Sequence, residues 1–94
     1  MKLSKEQLDA LREQLRLSPR ETQILDLLFQ GHTSNQLLAE HLGITLGTAK
    51  GMVGRVLLKT GAADKTQLVL RCFEILADVY AREFFARRQK KGPA

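Results

Sequence analysis

Ninety-four residues carry 15 basic and 10 acidic side chains, a formal charge of +5, with 44% hydrophobic but only 5% aromatic residues. That suits one small domain with an aliphatic core; no run of about 18 apolar residues exists to span a bilayer, and the start, MKLSKEQLDALREQL, lacks the apolar centre of a secretion signal. Cys72 stands alone, so an internal disulfide is excluded and a reduced, cytoplasmic setting is the expectation.

Val, Leu and Ile recur at helical spacing rather than in alternation, which predicts an all-α fold. A first helix is expected from Ser4, with Gln7 at the capping-box position and Leu8, Leu11 and Leu15 as its stripe. A second starts at Ser18. Pro19 occupies its first turn, Glu21 completes another S-x-x-E box, Ile24, Leu25, Leu27 and Leu28 form its buried face, and Gly31 is the stop. Ser34 caps a short third helix carrying Leu37, Leu38 and Leu42 and ending at Gly43. Only Ile44 separates that glycine from the next cap, Thr45, so the third and fourth helices must cross steeply, as in a helix-turn-helix.

The fourth helix is expected from about Leu46 to Thr60, with Gly61 ending it. Ala49, Val53, Val56, Leu57 and Thr60 share one side; Gly47, Lys50, Gly51, Gly54, Arg55 and Leu58 share the other. Asp64 caps a fifth helix, with Gln67 in the capping-box position, that reaches to about Gln89; the tail KKGPA is expected to fray. The apolar residues of this last helix cover roughly 240° of the wheel, far more than one core stripe of about 100° needs. One face suits the helix-turn-helix. The remainder, Leu70, Phe73, Ala77, Tyr80, Ala81 and Phe84, is left for the first helix or for a second copy of the chain, and a homodimer through it is the expectation.

Charge is unevenly placed. Residues 1–45 hold five basic and six acidic side chains, and residues 46–94 hold ten and four. The positive field therefore belongs to the half that begins with the glycine-bearing helix, which suits a polyanion partner.

Four blocks, LSPRETQIL (17–25), LLAEHLGIT (37–45), GTAK (47–50) and KTGAADKTQLV (59–69), follow one another at the spacing of a known domain. Together they resemble the LuxR/FixJ-type, GerE-like helix-turn-helix. Sigma-factor region 4 is similar to the first blocks but lacks the last. The resemblance covers residues 17 to about 76 and implies a tetrahelical DNA-binding domain, with residues 1–16 as an added N-terminal helix and 77–94 as an extension and basic tail. It also implies that the fourth helix is the recognition helix and the fifth the dimerisation helix. Most members carry a receiver or ligand-binding domain, for which 94 residues leave no room, so control by concentration or by a partner is expected. The pattern departs at Met52, where His is frequent, at Leu58, where polar residues are usual, and at Gly51 and Gly54, positions that with Lys50 point at base edges in the family.

Glycine offers no donor or acceptor to a base edge, and each glycine inside a helix costs roughly 0.8–1 kcal/mol relative to alanine. Three explanations stay open: tolerance because packing holds the helix, close backbone approach to DNA, or a protein docked on the bare face. Thr45, Thr48, Lys50, Gly51, Gly54, Arg55 and Lys59 form the expected contact set for double-stranded DNA, led by phosphate contacts. The expected function is transcriptional regulation without cofactor, metal or membrane. The alternative is a non-enzymatic adaptor that uses the glycine face on a partner protein. His32 and His41 have no metal-binding companions in the sequence, Ser18, Ser34 and Thr45 read as caps rather than nucleophiles, and Cys72 reads as a buried thiol, so an enzyme is not expected. The stretch AREFFARRQKK (81–91) either touches DNA flanks or a partner such as RNA polymerase, or is a solvated helix end whose cations suit the helix dipole.

Overall fold

The computed structural model describes the backbone of residues 1–91 and the side chains of residues 1–87. Five helices follow in order, α1 (Lys5–Leu15), α2 (Pro19–Phe29), α3 (Asn35–Leu42), α4 (Leu46–Thr60) and α5 (Lys65–Lys91), and there is no strand among the described residues.

Local chemistry sets the helix starts. Ser4, Ser18, Ser34 and Thr45 each accept a hydrogen bond from the amide three residues on, at 3.1, 3.1, 3.1 and 3.2 Å. Each such cap is worth about 1 kcal/mol. Two boxes close reciprocally, since the Ser4 amide donates to Gln7 Oε1 (2.9 Å) and the Ser18 amide to Glu21 Oε1 (2.8 Å). At α5 the Gln67 amide donates to Asp64 Oδ1 (2.8 Å), but Gln67 Oε1 takes the amide of Ala63 rather than that of Asp64. The cap is the expected one, with its return bond one residue early.

Between α3 and α4 the chain turns within three residues. Gly43 has φ +65°, a left-handed conformation that glycine adopts without a Cβ penalty, and the Ile44 amide donates back to Ala39 O at 3.0 Å. α1 ends the same way without glycine: Arg16 sits at φ +54°, and the Leu17 amide donates to Arg12 O.

The core is aliphatic, as the composition requires. Leu11, Ile24, Leu25, Leu38, Val56, Leu68 and Cys72 are fully buried, from all five helices. Burial pushes the Cys72 thiol up to about 11, so it stays protonated and inert near neutrality. α1 packs on α2 and α5, so the unassigned leucine stripe finds its partner inside the chain. Leu3 is buried ahead of α1, and the Met1 nitrogen donates to Phe29 O at 2.9 Å.

This arrangement divides the apolar arc of α5. Leu68, Cys72 and Leu76 enter the core and Val69, Ile75 and Val79 are half-buried. Leu70, Phe73, Ala77, Tyr80, Ala81 and Phe84 remain exposed, with Phe85 beyond them. A groove of about 270 Å³ separates the start of α1 (Ser4, Gln7, Ala10) from α5 (Val79, Tyr80, Glu83). The molecule is 58 Å long and 22 by 19 Å across; the 27 residues of α5 account for about 40 Å of that length. The KKGPA tail and the side chains of Arg88, Lys90 and Lys91 lie outside the described residues.

Candidate nucleic-acid interface

α4 is an amphipathic helix whose outer side is nearly bare. Ala49, Met52, Val53, Val56 and Thr60 are buried against the rest of the fold. Diametrically opposite run Gly47, Gly51, Gly54 and Leu58, all exposed, with Leu58 82% accessible. A Cβ placed at Gly47, Gly51 or Gly54 meets nothing within 4 Å. Nothing inside the chain requires glycine at these three positions.

Charged and hydroxyl groups flank this strip. Lys50 lies on one side; Thr48, Arg55 and Lys59 lie on the other. Thr45 caps the helix, and its hydroxyl donates to Thr48 Oγ1 at 2.9 Å. Lys50 and Arg55 are exposed and make no hydrogen bond or ion pair among the described residues. Their charges are available to an outside anion.

Lys59 behaves differently. Its Nζ lies 2.7 Å from Glu21 Oε1 and 3.4 Å from Arg16 O. The Glu21 side chain is only 7% exposed and also accepts from the Ser18 amide. Burial alone would raise the Glu21 carboxyl, but hydrogen bonds from Lys59 and Ser18 outweigh it and hold the group below its ordinary 4.5. Lys59 is therefore spent on joining the start of α2 to the end of α4. The sign of the linkage follows from a lowered carboxylate. Its stabilisation is complete above 4.5 and disappears as the pH falls through the lower folded value. Glu21→Gln is expected to destabilise the fold by about 1–2 kcal/mol at neutral pH. The mutant should also lose part of the acid limb of stability, which urea melts at pH 3, 4, 5 and 7 would record.

The bridge forms one wall of a cleft of about 320 Å³ lined by Ser18, Arg20, Glu21, Thr48, Met52 and Arg55, with Lys59. Arg20 was not singled out from the sequence. It stands beside the first turn of α2, where its only partner among the described residues is Gln23 Oε1 at 3.3 Å. With Lys59 neutralised by Glu21, Arg20 and Arg55 leave this cleft cationic, next to the positive end of α2. The signal that could have found Arg20 is its place one residue past Pro19, in the first turn of a capped helix packed on α4.

This geometry suits a polyanionic surface. Cations sit along both flanks of an uncharged helical strip, on the helix that follows the Gly43 turn. The profile of the GerE family, the bacterial regulatory proteins of the luxR family, matches residues 15–72. The chain belongs to the luxR family. No curated protein and no solved structure matches it. The luxR family match begins at the end of α1 and stops within α5, so Lys5–Gln14 and the last part of α5 lie outside it. All the α4 residues described above, Arg20 and the Lys59–Glu21 bridge lie inside it. α3, the Gly43 turn and α4 thus all lie within the luxR-family match.

His32 and His41, set aside in the sequence, meet across the α2–α3 turn with ring centroids 3.9 Å apart at 41°. No group of three or more His, Cys, Asp or Glu is placed to hold a metal ion among the described residues. None of their helices is long and apolar enough to cross a membrane.

Proposed function

We propose that this protein is a transcription regulator that binds double-stranded DNA as a homodimer, with α4 in the major groove. Phosphate contacts dominate, and Lys50 and Arg55 supply what base reading remains. The carrying observation is that these two cations are unpaired at the edges of an outward strip, Gly47, Gly51, Gly54 and Leu58, that itself offers no side-chain donor. Thr45, Thr48 and the first amides of α4 suit phosphates, while Gly51 and Gly54 bring backbone toward the groove. Lys59 contributes by positioning α4 rather than by direct contact. The residues outside the luxR-family match, 1–14 and 73–94, act as supports of the domain and of its pairing.

The test is a salt titration on random and genomic duplexes, with mass measured in dilute solution. The expected result is a log–log affinity slope of about −0.9 per phosphate contact with little preference between sequences. Indifference to duplexes at low ionic strength overturns the proposal. Deleting residues 87–94 is expected to leave affinity within about twofold, because cations at a helix end are otherwise well solvated. A larger loss in the same titration assigns the basic end to flanking DNA.

A second reading has its own observation. Leu58, 82% exposed, continues the glycine strip with an apolar side chain. That combination also fits an adaptor whose α4 face meets a protein such as RNA polymerase or a co-regulator. Asparagine at Gly51 and Gly54 would then abolish the protein complex and leave DNA binding unaltered.

A further inference from the structure

His32 and His41 take no part in the α4 interface, yet the fold brings them together from two different elements. His32 follows the left-handed Gly31 (φ +99°) at the end of α2, and its amide donates to Leu27 O at 3.0 Å. His41 lies in the last turn of α3, which Gly43 closes. Both backbones are therefore held by hydrogen-bonded helix ends. The rings meet with centroids 3.9 Å apart. His41 is exposed and His32 half-buried. Apart from this ring contact, neither side chain makes a hydrogen bond or ion pair among the described residues. Each imidazole carries two nitrogens, one of them a lone-pair donor in the neutral ring. No protein group uses them.

Two such rings at contact distance suit a borderline dication. Imidazole nitrogen favours Zn²⁺, Cu²⁺ and Ni²⁺, whereas Mg²⁺ and Ca²⁺ call for oxygen donors. With Zn–N bonds of about 2.1 Å at a tetrahedral angle, two ligating nitrogens stand about 3.4 Å apart. Centroids 3.9 Å apart bring the nitrogens to within a ring rotation of that spacing, and the exposed His41 is free to rotate between side-chain wells. No third His, Cys, Asp or Glu joins them among the described residues, so water completes the shell and the ion stays exchangeable. The lone thiol, Cys72, is fully buried in the core and offers no rival ligand. The two metal–nitrogen bonds would tie the end of α2 to the end of α3.

We infer that His32 and His41 together bind one transition-metal dication of the zinc–copper class, closing a staple across the α2–α3 turn. The inference is independent of the DNA reading, since no residue of the α4 contact set takes part. Zn²⁺ alone is titrated into the full chain, with Mg²⁺ as control, and followed by calorimetry and by the ring-proton resonances of the two histidines. The expected result is one Zn²⁺ per chain, both rings shifting together, a urea midpoint that rises with Zn²⁺ concentration, and no response to Mg²⁺. Cu²⁺ should bind more tightly than Zn²⁺. His32→Ala and His41→Ala, neither at a fully buried position, should each weaken Zn²⁺ binding by roughly tenfold or more with unchanged far-UV circular dichroism. Undiminished binding in the double variant, or a shift confined to one ring, overturns the site. Saturation at one ion for every two chains places the bridge between copies and overturns the staple. Absence of saturable binding at millimolar Zn²⁺ overturns the inference as a whole, and leaves the DNA reading untouched.

Discussion

Gly51→Ala with Gly54→Ala is expected to raise stability by about 2 kcal/mol. Each position is a solvated helix interior where glycine costs roughly 0.8–1 kcal/mol relative to alanine. Neither new methyl group meets an atom within 4 Å, so no packing loss offsets the gain. For a domain of this size the melting temperature should rise by roughly 8–16 °C. A gain so readily reached is informative about the surface. The same double variant, assayed on duplex DNA, separates the roles left open for the glycines. Close backbone approach to the groove floor requires the methyl groups to lower affinity by about tenfold or more. Simple tolerance requires unchanged affinity at the higher stability. If the double variant is no more stable than wild type, α4 is held differently from the structure described above.

Lys50→Ala with Arg55→Ala carries the largest expected loss of binding. Both cations lack internal partners, so their removal leaves stability within about 0.5 kcal/mol. One phosphate contact contributes about 0.9 to the log–log salt slope. Losing two per protomer should lower affinity at 0.1 M salt on the order of 50-fold for each protomer engaged and flatten the slope by about two per protomer. Lys59→Ala provides the contrast. Because its ammonium is held 2.7 Å from Glu21, that change should cost stability and leave the salt slope nearly intact. The reverse pattern, with Lys59→Ala flattening the slope and Lys50→Ala inert, would remove the assignment of the contact face.

What the sequence could and could not disclose follows the range of the interactions. Caps at Ser4, Ser18, Ser34 and Thr45 join residues three apart, so a local pattern reveals them. The same holds for the turn at Gly43 and for the two sides of α4. The Glu21–Lys59 bridge joins residues 38 apart, and no local pattern reports that two helix ends meet. Lys59 therefore looked like a free cation, and Arg20 went unnoticed although it faces the same cleft. The α5 wheel announced more apolar surface than one core uses, but the partner was not legible. Periodicity shows that a face needs cover, not which element supplies it, and α1 takes only part of the arc. The luxR-family blocks located the helix-turn-helix because cap, turn and core residues recur at fixed distances within it.

The three-residue passage through Gly43, Ile44 and Thr45 has a mechanical consequence. Back-bonded to Ala39 and locked by the threonine cap, it contains no slack. α3 and α4 therefore move as one rigid elbow, and α4 cannot swivel independently to follow a duplex of unusual width. If α4 enters a duplex as proposed, accommodation falls to the nucleic acid, which must bend or open its groove to meet a fixed probe. Ease of deformation, rather than a spelled-out base code, then becomes the quantity by which such a smooth probe ranks its sites.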